Sequence, residues 1–336
     1  MAEKVVSYLI PTDEDYRDAH QDASEELVYR KKISAVAEER DATNKLIYPW
    51  SFEIVQGFFR QDDEDTKDLE FNYSLESMGR KEEWSEIITK IKKLNDEADD
   101  NQSYKVLFLA RHGQGYHNLC VSKYGLEQWD THWNVLSTDG EIVWAPDPML
   151  TDLGISQAKE NHRLWETEIQ KGAPIPSKFY VSPLQRSCHT LLYTWDQLKP
   201  ESVHPIVTEI LREKVTGNLC DKRSPRAVIK ERFEKHGFVV GDNITEEDHF
   251  FDSQPKETLV DHAFRVNNFL QHLFDEDFDA NKRVVDPQKR SESAFISTTS
   301  HAGTIRAFLT VLKHRHFTIS TGGMIPVVVK ATRRTD

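Results

Sequence analysis

Cysteine is scarce. The chain has 336 residues and three cysteines, Cys120, Cys188 and Cys220. The count is odd and no Cys-x-x-Cys pair occurs, which argues against a disulfide framework and favours reduced thiols packed as small residues. Long apolar runs are lacking too. No stretch reaches 18 apolar residues, so the sequence predicts no membrane-spanning helix. The apolar run near the start is six residues long and acids follow it at once in MAEKVVSYLIPTDEDY, which does not read as a secretory or mitochondrial leader. Asn72, Asn101 and Asn243 match the glycosylation acceptor pattern, but without an export signal they read as chance matches. Positive charge is in deficit: 43 Lys and Arg stand against 56 Asp and Glu, a formal net charge of -13. That field repels nucleic acid and anionic lipid, so neither is expected as a partner, and any anion site must be a focused local pocket. The expected compartment is the cytoplasm, with the nucleus open as a second one.

What remains is a globular chain, 38% apolar and 29% charged, long enough for one large domain or two modest ones. Residues 1–103 read as an extension packing on a core domain of residues 104–336. The extension is highly charged at first, then carries an aromatic island, YPWSFEIVQGFFRQ at 48–61, and an amphipathic helix over 80–95 marked by Trp84, Ile87, Ile88, Ile91 and Leu94. No catalytic constellation is visible in it, and NDEADDNQ at 95–102 reads as a linker.

Beyond residue 104 the texture changes. Lys105–Ala110, Lys178–Ser182 and Ala294–Thr298 are short apolar runs, and the last two lead directly into helical patterns. His204–Thr208 and Ile325–Val329 are further candidate strands, 259–274 a further helix, and 275–293 a long charged surface loop. Doubly buried strands alternating with helices predict an α/β fold: a mostly parallel central sheet with helices on both faces.

Ligands of such sheets bind beyond the carboxyl ends of the strands. The first run ends in Arg111-His112-Gly113, the second in Ser182-Pro183-Leu184-Gln185-Arg186, the third in Ser300-His301-Ala302-Gly303. Two arginines and two histidines are thereby delivered to one rim. In the second turn Ser182 suits an N-cap and Pro183 a first helical position, which predicts a helix N-terminus with Arg186 in its first turn, a combination suited to phosphate or sulfate. Gly113 and Gly115 suit close backbone approach. A histidine beside an arginine is disfavoured as imidazolium, and two arginines with a histidine can hold a phosphate without a metal. No His/Asp/Glu ligand cluster accompanies these motifs, so neither metal nor cofactor is expected.

These motifs resemble the histidine phosphatase (phosphoglycerate mutase-like) superfamily, in its compact branch. Arg111-His112-Gly113 with Asn118 is similar to Arg-His-Gly-x-x-x-x-Asn; Leu150-Thr-Asp-Leu-Gly154-Ile-Ser-Gln157-Ala158 is similar to Leu-Thr-x-x-Gly-x-x-Gln-Ala; Ser182–Thr190 and Ser300–Arg306 are similar to the remaining two segments. The wording RHGQGYHN is most similar to fungal phosphomutase-like proteins. The resemblance implies His112 as the nucleophile that becomes phosphohistidine, Arg111, Arg186 and His301 as the phosphate pocket, and Glu213 as proton donor, with Glu257 or Asp147 as fallback. It implies Asn118, Gly113, Gln114 and Ala302 as substrate contacts and a small phosphorylated metabolite as partner. Phosphoglycerate mutases typically carry Glu-Arg-His-Tyr-Gly where this chain has Glu213-Lys-Val-Thr-Gly217. That departure favours hydrolysis of small phosphomonoesters over a mutase; a non-catalytic phosphate-binding scaffold is the third reading. Tyr116, His117, Trp129, Trp133 and Trp144 fall in an insert at the same rim, suited to stacking on a substrate or to packing.

Overall fold

The computed structural model describes residues 7–21, 23–253 and 256–334. The first third of the chain forms α1 (Asp13–His20), α2 (Ala23–Ala35), β1 (Trp50–Ile54), α3 (Trp84–Asp96), β2 (Gln102–Arg111), α4 (Tyr116–Tyr124) and α5 (Leu126–Thr131). The middle forms α6 (Asp152–Gln170), β3 (Lys178–Val181), α7 (Gln185–Thr194), β4 (Ile206–Val207), α8 (Arg226–Phe233), β5 (Val239–Val240) and α9 (His249–Ser253). Then come α10 (Leu259–Asp275), a small β6 (Phe278–Asp279) and β7 (Val284–Val285) hairpin, α11 (Pro287–Glu292), β8 (Phe295–Ser300), α12 (Ala302–Leu312) and β9 (Met324–Arg333).

Seven strands make one sheet in the order β1-β9-β2-β8-β3-β4-β5. β2, β8, β3, β4 and β5 run parallel, and β9 is antiparallel to both its neighbours, β2 and β1. The sheet is therefore mostly parallel, as its doubly buried strands predict: Val106 to Leu109 of β2 have no exposed surface. Alternation along β3 sorts the helices into two layers. Phe179 meets Trp195 at the end of α7, while its neighbour Tyr180 meets Phe269 of α10 on the opposite face. β2, β8 and β3 end side by side, so Arg111, His301 and Ser182 leave the same edge of the sheet.

The aromatic island contributes β1, whose Trp50 and Phe52 are buried while Ser51 and Glu53 are exposed. Leu9, Tyr29, Trp50, Phe52 and Trp84 belong to the same hydrophobic core as β2, β8 and β9, so residues before 104 are built into that core. The expected linker is a tight joint. The Asn95 side chain at the end of α3 donates to the Tyr104 carbonyl and accepts from the Tyr104 amide, both at 2.9 Å, aligning α3 with β2.

Two expectations need correction. The stretch 275–293 is not a plain loop: it holds the β6–β7 hairpin and α11, whose start is fixed by Asp286 capping the amides of Gln288 and Lys289 with Pro287 in the first turn. Ser182 is not an N-cap. α7 begins at Gln185, because the Asp147 carboxylate, from a distant loop, accepts the Gln185 amide at 2.8 Å and fixes the helix start two residues later.

Candidate active site

The turn after β2 is held backbone against backbone. A Cβ on Gly113 would lie 2.5 Å from the Gly154 carbonyl oxygen, and one on Gly154 would lie 2.2 Å from the Gln114 carbonyl oxygen. Only glycine at both positions permits this contact. Thr151, the N-cap of α6, donates its hydroxyl to Gln114 Oε1 at 2.8 Å, and Gln157 Oε1 accepts the Gln114 amide at 2.8 Å. The Leu-Thr-x-x-Gly-x-x-Gln segment is thus the clamp that fixes the turn carrying His112.

Within that turn His112 is buried. Its Nδ1 lies 2.7 Å from the Gly113 carbonyl oxygen, which can only accept, so Nδ1 carries the proton and Nε2 keeps its lone pair. Arg186 donates from Nε toward that same Nε2 at 3.4 Å. Burial first, then the Arg186 and Arg111 guanidiniums, hold His112 well below the ordinary histidine value, so the ring is neutral at physiological pH. Arg186 is itself fixed by Asp221 at 2.8 Å and by the Cys220 carbonyl at 3.0 Å.

His301 packs its ring edge-on to His112 with centroids 5.0 Å apart. Its Nε2 is 2.7 Å from Ser182 Oγ, so the serine read as a helix cap orients a histidine instead. Arg111 projects from the end of β2 and donates from Nη1 to the Ile319 carbonyl at 2.7 Å and to Asp15 of α1 at 2.6 Å. The helix N-terminus expected to hold phosphate is closed: Asp147 already takes its first amide.

A cavity of about 400 Å³ opens over these groups. Its wall includes Arg111, His112, Gln114, Asn118, Arg186, Glu213, Ala302 and Gly303. His301 does not line it and bears on the site through His112. Asn118 accepts the Gly115 amide at 3.0 Å and so braces the start of α4 while facing the cavity. Glu213 is buried. Its Oε1 accepts the Lys214 amide at 2.7 Å and its Oε2 the Gly303 amide at 3.3 Å; a Cβ on Gly303 would lie 2.3 Å from Oε1. Burial, reinforced by the Asp221 charge, raises the Glu213 pKa, which suits a proton donor. The alternative donors are occupied elsewhere. Asp147 accepts from Gln185 and Ser224, and Glu257 pairs with Arg265 at 2.9 Å; neither lines the cavity.

Sequence reading missed three contributors. Asp15 and Asp18 of α1 reach the site, Asp15 on Arg111 and Asp18 at 3.8 Å from Arg306. Their only signal was an unremarkable acidic stretch 90 residues from the nearest motif. Asp221, the partner of Arg186, lies in no recognised motif. In the rim insert, Trp129, Trp144, Cys120 and Cys220 form a small second core against which Trp133 packs, so packing accounts for most of those aromatics; Trp129 also borders the cavity. Among the described residues no group of three or more His, Cys, Asp or Glu is arranged to hold a metal ion, and no helix is long and apolar enough to cross a membrane.

The model of the histidine phosphatase superfamily (branch 1) matches residues 107–321, which span every strand end described above. The chain belongs to this family. A protein of Arthroderma benhamiae named "Probable phosphoglycerate mutase" is 34% identical over 305 residues, covering 85% of this chain and 86% of that one. "Probable phosphoglycerate mutase PMU1" of Saccharomyces cerevisiae is 31% identical over 249 residues, 68% of this chain and 80% of that one. Among solved structures, the ecdysone phosphate phosphatase of Bombix mori in complex with tungstate aligns with 62% of this chain and 76% of its own, at 18% identity and a TM-score of 0.38. In this member of the family the candidate site residues are thus drawn from the ends of β2, β3 and β8 and from the loop beyond β4.

Proposed function

We propose that the protein hydrolyses small-molecule phosphomonoesters through a phosphohistidine on His112, without a metal. The observation that carries this reading is one contact: His112 Nδ1 sits 2.7 Å from the Gly113 carbonyl oxygen, which leaves the lone pair on Nε2, 3.4 Å from Arg186 Nε. Nε2 attacks phosphorus as the ester P–O bond breaks, and the departing oxygen takes the proton of Glu213. Water then attacks phosphorus as the P–N bond breaks, gives a proton to the Glu213 carboxylate, and inorganic phosphate leaves with the lone pair of His112 Nε2 restored. Arg111 and Arg186 stabilise the charge spread over the transferring oxygens. His301 braces the nucleophile, Asn118, Gln114 and Ala302 shape the phosphate-binding wall, and Gly113 holds the turn behind it without lining the cavity.

Hydrolysis rather than transfer to a second hydroxyl is supported by the residues after the donor. Val215 and Thr216 stand where phosphoglycerate mutases typically carry His and Tyr. The test is release of p-nitrophenol from p-nitrophenyl phosphate by purified protein. His112→Ala is expected to lower kcat by about 10³-fold or more, as loss of a nucleophile does. Acid-labile incorporation of phosphate should vanish in the same variant. Equal rates for wild type and variant would leave a phosphate-binding scaffold as the better reading. Transfer between the 2- and 3-hydroxyls of glycerate faster than hydrolysis would favour a mutase.

A further inference from the structure

His117 stands outside the roles assigned above, yet its surroundings are those of a working group. It lies in the first turn of α4, buried, with its ring centroid 5.4 Å from that of His112, and it lines the same cavity. Its Nδ1 is buried with no hydrogen-bond partner. An unpaired buried polar atom costs about 1–3 kcal/mol, and unlike His262, whose two ring nitrogens are also unpaired but which does not line this cavity, His117 faces the space above His112.

The local backbone is arranged around this ring. Gly115 has φ of -93°, a conformation open to any residue. A Cβ there would lie 2.7 Å from His117 Nδ1 and 2.8 Å from Cε1. The second glycine of RHGQGYHN is therefore explained by the space that His117 occupies, not by turn geometry. Asn118 fixes the same turn by accepting the Gly115 amide, so the ring is presented from a braced helix start.

We infer that His117 is a further phosphate-contacting residue of this site: with Nδ1 sealed against Gly115, it is Nε2 whose N–H donates to a non-bridging oxygen of the group held beside His112. This rests on the reading of the cavity as a phosphoryl site. Burial, Arg186, His112 and Arg111 together hold His117 well below the ordinary histidine value, so in the free protein the ring is neutral and adds no further positive charge to the site. An incoming dianion offsets those cations and provides an acceptor for Nε2. The ligand class is a tetrahedral oxyanion, and the contact is to the phosphoryl group rather than to the leaving alcohol, because His117 adjoins the nucleophile.

Titration calorimetry with tungstate, a tetrahedral dianion, tests this without turnover. His117→Phe is expected to weaken tungstate binding about tenfold or more, and His117→Gln, which keeps an N–H donor, to stay within about threefold of wild type. Gly115→Ala should push the ring away and weaken binding in the wild-type background, yet add nothing in the His117→Phe background, the non-additivity expected of residues acting through one contact. Tungstate affinity in His117→Phe within about twofold of wild type would overturn the inference while leaving the phosphoryl site intact. Absence of tungstate binding by the wild type would overturn the phosphoryl site and this contact with it. Should His117→Phe fail to fold, Gly115→Ala and His117→Gln decide the matter by the same comparison.

Discussion

A carboxyl group that must give up a proton near neutrality cannot keep the ordinary glutamate pKa. Glu213 is held above it by burial and by the Asp221 carboxylate, while His112 is held below its ordinary value by burial and two guanidiniums. The signs set the pH profile. On the proposed mechanism the nucleophile is lost as pH falls through the lowered His112 pKa, and the acid is lost as pH rises through the raised Glu213 pKa. Activity should therefore extend well into the acid range and decline on its basic side as Glu213 ionises. Glu213→Gln is expected to remove that basic decline. It should also lower kcat by about 10²-fold or more for an alkyl phosphate, whose leaving oxygen needs the proton, and far less for p-nitrophenyl phosphate, whose leaving group does not. Measuring kcat against pH for both substrates checks this; an equal loss for both would assign Glu213 to binding rather than proton transfer.

Among elements, α1 is the one whose place was not foreseeable. Thr12 and Asp15 form its capping box, and the same Asp15 reaches across to Arg111, with both side chains largely buried. Arg111 is also tied to the Ile319 carbonyl, so it keeps its aim without Asp15. A phosphate dianion entering the cavity meets the Asp15 carboxylate as a like charge. Asp15→Asn should therefore tighten competitive inhibition by inorganic phosphate, by about threefold to tenfold at low salt. A weaker inhibition constant would mean that Asp15 serves to aim Arg111. Elements defined by local periodicity were legible beforehand: the apolar runs before Arg111, Ser182 and His301 and the helices beyond them carry their own pattern. So were the residues the chain places directly at strand ends. What the sequence did not disclose depends on contacts between distant segments. Asp147, not Ser182, starts α7; Asp15 meets Arg111 across 96 residues; the direction of β9 is set by its pairing with β2. No window of sequence contains both members of those pairs.

On the scale of the whole molecule, the segment before residue 104 is structural to the sheet. β1 pairs along β9 from Trp50 against Arg333 to Ile54 against Val329 and occupies what would otherwise be an open edge. Trp50 and Phe52 pack on Phe274 of α10, and Trp84 on Phe108 at the centre of β2. Trp84 also donates its indole N–H to Glu168 of α6, which Arg80 and Lys171 bond as well. Removing residues 1–103 would expose at least three large aromatic contacts, at roughly 1.5–3 kcal/mol for each buried side chain, against a total stability of about 5–15 kcal/mol for a typical domain. It would also leave Glu168 with fewer partners and β9 as an unpaired edge prone to association. A chain beginning at residue 104 is therefore expected to be aggregated or to lack a cooperative thermal transition, although it contains every motif of the site. The check is thermal unfolding and size-exclusion chromatography of the truncated chain beside one that begins at residue 7. A monomeric truncated protein with a sharp transition and p-nitrophenyl phosphatase activity would show that the sheet closes without β1, and that the leading segment acts only through α1 at the cavity.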